Sequence, residues 1–193
     1  MESWIDAVGN VHGRINGSDP SRRAILMGSH YDTVLDAGKY DGPLGIIVGI
    51  AAIKTIINST KTGRLPSGET LFDAGAIKRT LRVVAFSDEE GVRFQSTFLG
   101  SRAVAGTLIK NKMLEAKDKA GVTLAEALLN EGYLSPSADL ESTLTRAAIK
   151  PEEIDQYVEF HIEQGVALEG LAQPLVRFMP KAYTPQYGIK GTS

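Results

Sequence analysis

The alternation of short apolar runs with longer helical patterns constrains the fold of this chain most. Three runs have the length and the apolar content of buried strands, namely "RAILMGSH", "TLRVVAFSD" and "YVEFHI", the last from roughly Tyr157 to Ile162. Stretches with the apolar spacing of helices lie between them, and the longest is "PLGIIVGIAAIKTIINST", with a proline at its start. Strands that alternate with helices predict an α/β protein with a mainly parallel sheet flanked by helices.

The remaining segments divide the chain into a domain, an insertion and a tail. "SWIDAVGNVHGRI" predicts two strands joined by a Gly-Asn turn. Residues 59–79 are rich in glycine, serine and charge, which predicts a loop insertion at the surface. Residues 171–193 contain three prolines and no clear period, so we expect an irregular tail after one domain at 1–170.

The composition excludes several classes of protein. The 193 residues carry a formal net charge of −2, which gives no reason to expect a nucleic acid or an anionic membrane as a partner. The chain has no cysteine, so disulfides and thiolate metal sites are excluded, and a metal ion would need imidazole and carboxylate ligands. No basic leader followed by an apolar core is present at the start, and Lys54 interrupts the longest apolar run, which predicts a buried helix.

Side chains that can bind a metal ion follow or lie within each predicted strand. They are His30 and Asp32, Glu89 and Glu90, and His161, with Asp41 in the turn before the long helix. Because the carboxyl ends of parallel strands meet at the same edge of a sheet, residues distant in sequence can converge there. Two imidazoles and two carboxylates suit one or two divalent cations, and a carboxylate in a turn can bridge two ions. The candidate ligands are His30, Asp41, Glu90 and His161.

Asp32 and Glu89 remain outside this ligand set. In a His-x-Asp sequence the aspartate can accept the second imidazole N–H, so we expect Asp32 to orient His30. Adjacent side chains on a strand point in opposite directions, so Glu89 and Glu90 can both reach the centre only from a turn. Gly91, which follows them, is compatible with such a turn.

Each of these residues also has an ordinary explanation when it is taken alone. A pair of glutamates is commonly a solvated turn, Asp41 before a glycine is a turn signal, and His161 could be a packed strand residue. A plain α/β binding module with acidic turns, which would bind no metal, is the corresponding alternative. His12 in "GNVHGR" lies in the predicted hairpin, and we expect it to be structural. "GKYDGPLG" lacks the spacing of a phosphate-binding loop.

Three stretches of the chain together resemble a known family of enzymes. They are "GSHYDTVLDAGKYDGPLGI", "AFSDEEGVRFQSTFLGSRAVAG" and "VEFHIEQG". In this order they are similar to the di-metal amidohydrolases of the aminoacylase and carboxypeptidase type, a metallopeptidase family. The branch that they resemble most holds allantoate deiminases (allantoate amidohydrolases), ureidoglycolate amidohydrolases and N-carbamoyl-L-amino-acid hydrolases, above all the plant and algal enzymes. The resemblance covers roughly residues 4–170 apart from the 59–79 insertion.

The resemblance implies a centre of two divalent cations. His30 and His161 would bind one ion. Asp41 would bridge the pair, and Glu90 would bind the second ion. In the plant-like branch Mn²⁺ is the expected ion, with Zn²⁺ as the alternative. The peptide bond between Asp41 and Gly42 is expected to be cis, as is frequent at the bridging aspartate of this family.

The resemblance also implies the hydrolysis of a linear ureido C–N bond. Glu89 would be the general base, and Asp32 would orient a histidine ligand. Gln164 matches a position that contacts the substrate. The expected substrate is allantoate, which would yield ureidoglycine, ammonia and carbon dioxide in purine and ureide catabolism. Ureidoglycolate and N-carbamoyl-L-amino acids are the alternatives.

Members of this family are considerably longer than this chain, so the resemblance implies a partial chain. They carry an inserted lid domain that dimerises, and a further histidine ligand near the C-terminus, whereas no histidine follows His161 here. A catalytically silent partial chain is therefore an alternative of another class. The implied partner is a small ureido substrate, with no nucleic acid and no membrane, and the family forms homodimers. The expected compartment is the endoplasmic reticulum for a plant-like protein and the cytoplasm otherwise.

Overall fold

Six strands form one sheet in the computed structural model, which describes residues 1–70, 77–110 and 112–164 and the backbone of the strand at 175–178. The strands are β1 (Glu2–Ile5), β2 (Val11–Ile15), β3 (Ala24–His30), β4 (Leu81–Phe86), β5 (Ile154–Ile162) and β6 (Leu175–Phe178). Their order in the sheet is β1-β2-β4-β3-β5-β6.

The α/β class is confirmed, but the sheet is mixed rather than mainly parallel. β3 lies between β4 and β5 and runs parallel to both. The pairs β1–β2, β2–β4 and β5–β6 are antiparallel. β1 and β2 form the predicted hairpin, because the connection at 6–10 is too short for the crossover that parallel strands need. The parallel centre positions the candidate site, since its three strands end on the same side.

Helices cover both faces of the sheet. They are α1 (Pro43–Thr62), α2 (Leu99–Val104), α3 (Leu124–Asn130) and α4 (Leu140–Ala147), with 3-10 turns at Met113–Glu115 and Pro151–Glu153. On one face, Ile53 of α1 packs in a buried cluster with Met27 and Val83. On the other face, Val104 of α2 packs with Leu26. A third cluster surrounds α3 and contains the buried residues of its inner side.

α1 is the long helix that the sequence predicts, and it lies on the sheet with one side exposed. Pro43 stands in its first turn, where a backbone N–H would have no partner within the helix, and Gly63 follows its end in the left-handed conformation (φ 69°). By length and composition alone α1 could cross a membrane. In the fold it packs on the sheet, since a Cβ at Gly49 would lie 3.3 Å from Met27 Cβ. Ile47 on its outer side is exposed, so the prediction of a buried helix holds only for the side that faces the sheet.

Two predicted boundaries differ from the structure. α1 continues through residues 59–62, so the predicted 59–79 insertion begins with a helical turn, and residues 71–76 lie outside the described part of the chain. The strand at 175–178 lies within the predicted irregular tail, and it pairs with β5. An edge strand presents unpaired backbone N–H and C=O groups, and β6 satisfies those of β5. The other residues of 171–193 lie outside the described part.

Candidate metal centre

The parallel strands bring two histidines to the same end of the sheet. His30 is the last residue of β3, and His161 lies one residue before the end of β5. Their Nε2 atoms are 2.9 Å apart. Asp41 lies in the turn before α1, and its Oδ1 is 3.5 Å from His161 Nε2 and 3.8 Å from His30 Nε2. His30 and Asp41 are buried, so this group is largely withdrawn from water.

Glu90 approaches the same point from the turn after β4. Its Oε1 lies 3.7 Å from His30 Nε2. The compact part of the centre consists of His30, Asp41 and His161, whose ligand atoms all lie within 4.8 Å of one another. The structure therefore gathers the four predicted ligands at one place, three of them in a tight group and Glu90 beside it.

Because Gly42 has no side chain, the turn that carries Asp41 can pack closely against His30. Gly42 has a φ of 80°, and a Cβ at this position would lie 2.5 Å from His30 Nδ1. A larger residue would therefore displace the imidazole. No peptide bond is cis within the described residues, so the expected cis bond between Asp41 and Gly42 is wrong. The left-handed conformation that is open to glycine turns the chain here with a trans bond.

The hydrogens on the two imidazoles leave acceptor atoms facing one another. His30 Nδ1 donates to the main-chain oxygen of Asp32 at 2.7 Å, and His161 Nδ1 donates to that of Ile162 at 2.8 Å. With a hydrogen on each Nδ1, both Nε2 atoms present lone pairs to each other and to the oxygen of Asp41. Lone pairs at these distances repel, and a divalent cation among them would convert repulsion into coordination. The residues therefore fit a metal ion held by imidazole and carboxylate ligands.

Gln164 supplies a donor to this group of acceptors. Its Nε2 donates to Asp41 Oδ1 at 2.9 Å and lies 3.5 Å from Glu90 Oε1. The residue is exposed, so it lies at the mouth of the centre. Its predicted contact with substrate stays a prediction, and the structure adds that Gln164 joins two of the carboxylate ligands.

Asp32 orients His30 through its main chain and not through its carboxylate. The main-chain oxygen accepts the Nδ1 hydrogen, whereas the carboxylate Oδ1 lies 3.9 Å from the same nitrogen. The carboxylate oxygens instead accept the backbone N–H groups of Glu89 and Glu90, each at 3.0 Å. The expected carboxylate–imidazole bond is therefore wrong, because these backbone donors lie closer. Asp32 joins the turn after β3 to the turn after β4, where both glutamates lie as predicted.

Glu89, the predicted general base, is buried, and both oxygens of its carboxylate bond to Ser101. Ser101 donates its backbone N–H to Glu89 Oε1 at 2.6 Å and its hydroxyl to Oε2 at 2.9 Å. Burial raises the pKa of Glu89 to about 8, although the bonds from Ser101 lower it, and the negative charge of Asp32 also raises it. A cation at the neighbouring ligands would favour the ionised form. Glu89 therefore has the environment of a carboxyl group that exchanges a proton near neutral pH.

Sequence analysis missed Ser101 and the buried network behind it. Asn10 is fully buried; its Oδ1 accepts the N–H of Ser87 at 2.9 Å, and its Nδ2 donates to the main-chain oxygen of Gly100 at 3.0 Å. The available signals were the Gly-Asn turn and the Gly-Ser pair in "STFLGSRAV", since small polar residues commonly stand at helix starts. Neither signal indicates which distant residue is contacted.

His12 has the structural environment that the sequence predicts. Its Nε2 bonds to Asp6 Oδ2 at 2.9 Å, and its ring stacks on Trp4 with 5.0 Å between centroids. His12 is 5% exposed. These contacts satisfy the ring inside the hairpin.

A comparison of the sequence with models of protein families identifies the family of this chain. Residues 10–156, which include the positions of Asp41 and Glu90, match the model of peptidase family M28. The chain belongs to peptidase family M28. The metallopeptidase-like resemblance of the three motifs is thereby confirmed. The match to the M28 model ends before His161, so the structure and the motif around this histidine place it in the centre.

Curated proteins similar to this M28 chain have names that specify ureido compounds. Allantoate deiminase of Arabidopsis thaliana is 46% identical over 176 residues, which are 91% of this chain and 30% of that protein. N-carbamoyl-L-amino acid amidohydrolase of Geobacillus stearothermophilus is 40% identical over 172 residues, 89% of this chain and 37% of that protein. The chain thus spans about a third of the length of these relatives.

Solved structures share the M28 chain's fold. AtUAH in complex with (S)-hydroxyglycine has a TM-score of 0.70 and 32% identity, and the match covers 89% of this chain and 37% of that one. A hydantoinase/carbamoylase family amidase from Burkholderia ambifaria has a TM-score of 0.63 and 32% identity, with 89% and 36% covered. The arrangement of strands and helices around the centre therefore recurs in amidases.

Proposed function

We propose that this M28 chain is the metal-binding part of an enzyme that hydrolyses linear ureido C–N bonds. The convergence of His30, Asp41 and His161 in one compact group carries the proposal. A buried carboxyl group, Glu89, next to the ligand Glu90 supplies a candidate base. Within the ureido class we propose allantoate, because the plant relatives named as allantoate deiminases are 43–46% identical and the N-carbamoyl-L-amino acid relative is 40% identical.

The proposed reaction consumes one water molecule and converts allantoate to ureidoglycine, ammonia and carbon dioxide. A bound divalent cation supplies Lewis acidity and lowers the pKa of water. Glu89 would accept the proton of the attacking water and deliver it to the leaving nitrogen as the C–N bond breaks. The burial that raises its pKa suits both steps, since the group can then take and return a proton near neutral pH.

We propose two divalent cations, with Mn²⁺ as the favoured ion and Zn²⁺ as the alternative, since imidazole and carboxylate ligands accept both. His30 and His161 would hold one ion. Asp41 has two carboxylate oxygens and would share them between the ions. Glu90 would hold the second ion, and its place beside the compact group supports a separate position.

A second candidate function is the hydrolysis of N-carbamoyl-L-amino acids, which the Geobacillus relative favours. Ureidoglycolate is a further candidate substrate. The ligand atoms serve the metal and the water rather than the substrate's side group, so one centre can serve all three compounds. A catalytically silent chain would instead bind at most one ion and release no ammonia, and a plain α/β binding module would bind none.

The resemblance alone supports two further parts of the proposal. A homodimer is proposed, and sedimentation equilibrium of the chain would test it. A location in the endoplasmic reticulum is proposed for a plant-like protein and the cytoplasm otherwise, and imaging of a fluorescent fusion in the source cell would distinguish these compartments.

Calorimetric titration of the 193-residue chain with Mn²⁺ and Zn²⁺ tests the centre, and ammonia release tests the reaction. Two ions per chain and ammonia from allantoate would support the proposal. His161→Ala should abolish binding at the first position, whereas His12→Ala removes a more deeply buried imidazole and should leave the metal content unchanged in the folded protein. Metal without ammonia from any of the three compounds would indicate the silent chain, and no metal would indicate the binding module.

A further inference from the structure

We propose that Ser101 is a positioning residue that holds the carboxylate of Glu89 in one orientation. The consequence for catalysis rests on the proposed function, in which Glu89 is the general base. The contacts themselves are a property of the fold. The two claims can therefore be tested separately.

Ser101 bonds both oxygens of the same carboxylate. Its backbone N–H donates to Glu89 Oε1 at 2.6 Å, and its hydroxyl donates to Oε2 at 2.9 Å. The terminal torsion of a glutamate has a broad energy minimum, so its carboxylate plane rotates easily when nothing holds it. Two donors from one residue restrict this rotation, whereas a single donor would leave the second carboxylate oxygen free to move.

Ser101 is itself held in place, because the start of α2 is bonded to the main chain of the site. The backbone N–H groups of Phe98, Leu99 and Gly100 donate to the main-chain oxygens of residues 87–89, at 2.9–3.2 Å. The first N–H groups of a helix have no partner within it. Here four successive groups, with that of Ser101 as the fourth, bond to the turn that carries Glu89.

Gly100 keeps α2 close to that turn. A Cβ at Gly100 would lie 2.3 Å from Asn10 Oδ1 and 2.4 Å from the main-chain oxygen of Ser87. Asn10 is fully buried and donates to the Gly100 oxygen. The segment that ends in Ser101 is therefore fixed on two sides, so the position of the serine donors is set by main-chain contacts and by Asn10 and not by the carboxylate of Glu89.

Kinetics with three serine variants test the consequence for catalysis. Ser101→Ala removes the hydroxyl bond and keeps the N–H bond, so kcat should fall roughly tenfold with KM changed by less than about twofold. Ser101→Thr keeps a hydroxyl and should recover most of kcat. Ser29→Ala is the matched control, since this buried serine hydroxyl has no hydrogen-bond partner within the described residues and its removal should not change kcat. Mn²⁺ affinity should be unchanged in all three variants.

Amide hydrogen exchange of the metal-free chain tests the contact without any activity. The Ser101 amide should be protected in the wild type and should exchange at least about tenfold faster in Glu89→Ala, since its acceptor is lost. The Gly100 amide donates to Ser87 and should keep its rate. Equal Ser101 rates in both proteins, or an unchanged kcat in a folded Ser101→Ala, would overturn the proposal. A wild type that hydrolyses no ureido compound would refute the proposed function, and the exchange rates would still decide the contact.

Discussion

Two groups in this protein both combine histidine with aspartate, and they have opposite hydrogen-bond balances. The first is the hairpin network, which consists of Asp6, Asn10 and His12. The carboxylate of Asp6 accepts hydrogen bonds from His12 Nε2, Asn10 Nδ2 and the backbone N–H groups of Val8 and Asn10, all at 2.9–3.0 Å. Each buried acceptor in the hairpin network therefore meets a donor, as a folded core requires.

The second group is the candidate metal centre, which consists of His30, Asp41, Glu90 and His161. Here the two imidazole Nε2 atoms and the carboxylate oxygens lie within 4 Å of one another along four measured pairs. These atoms are acceptors, and the donor among the described side chains is the exposed amide of Gln164. Buried acceptors without matching donors are costly, and a cation removes that cost.

The comparison shows that histidine and aspartate do not identify a metal site by their presence. Both groups have a buried imidazole near a carboxylate whose side chain is largely withdrawn from water. What differs is the direction of the ring hydrogens and the supply of backbone donors, which the hairpin turn provides to Asp6. The following predictions separate the two groups, because a change in one should affect metal binding and a change in the other should affect folding.

Asp41→Ala should have the largest effect, and that effect should be on metal binding. The variant removes the carboxylate that lies against both imidazoles, so Mn²⁺ affinity should fall at least about a thousandfold, about 4 kcal/mol. Titration calorimetry would measure the loss. The stability of the metal-free protein should change little, since Gln164 is the one hydrogen-bond partner of this side chain among the described residues. Unchanged metal occupancy would contradict the assignment of Asp41 as the shared ligand.

Asp6→Ala should show the reverse pattern. It leaves buried donors of Asn10 and His12 without their acceptor, which should lower the free energy of unfolding by about 3 kcal/mol. Urea denaturation followed by circular dichroism would measure this. Asp19→Ala is the control, since that carboxylate is exposed and its loss should lower the free energy of unfolding much less. A fall in Mn²⁺ affinity in folded Asp6→Ala would break the comparison.

The stability of the metal-free protein should fall as the pH rises. Glu89 has an ordinary pKa of 4.5, and burial raises the pKa in the folded state to about 8. The unfolded chain therefore loses this proton first, so the stability is complete below about pH 4.5 and declines up to about pH 8. Burial also raises the pKa of Asp88, to about 6, which acts in the same direction.

Chemical denaturation between pH 5 and pH 8 would measure this slope. Glu89→Gln should flatten most of it, and saturating Mn²⁺ should do the same, since a cation favours the ionised carboxylate. The same variant should retain the metal and lose most of the turnover. A slope that is identical in the wild type and Glu89→Gln would show that Glu89 is already ionised in the folded protein.

Asp32→Asn should have the smallest effect. The amide keeps one acceptor oxygen and loses the other, so one of the two bonds to the backbone of Glu89 and Glu90 is lost, about 1 kcal/mol. Mn²⁺ affinity should fall by roughly tenfold as Glu90 loosens. The hydrogen on His30 Nδ1 should stay, since its acceptor is a main-chain oxygen, and ¹⁵N NMR of the imidazole would show this. Loss of the Nδ1 hydrogen in Asp32→Asn would show that the carboxylate of Asp32, and not its main-chain oxygen, orients the His30 ring.

The sequence by itself determined the α/β class and the residues that converge at the candidate metal centre. Apolar runs alternating with helical spacing follow directly from burial, so β3, β4 and α1 could be located from residue types alone. The convergence of His30, Glu90 and His161 could be predicted because these residues lie at or near the ends of parallel strands, which must share one edge of the sheet. The adjacency of two glutamates required a turn, since neighbouring strand residues point apart.

Only the tertiary structure determined which hydrogen-bond partner each polar atom has. The carboxylate of Asp32 bonds to backbone groups 57 and 58 residues away, and Ser101 reaches Glu89 from the start of a separate helix. The antiparallel pairing of the hairpin with β4, the added strand β6 and the trans bond before Gly42 were likewise not visible in the motifs. The physical reason is that local spacing specifies periodicity and turn type, whereas a hydrogen bond depends on distances of about 3 Å between segments that only the packed chain brings together.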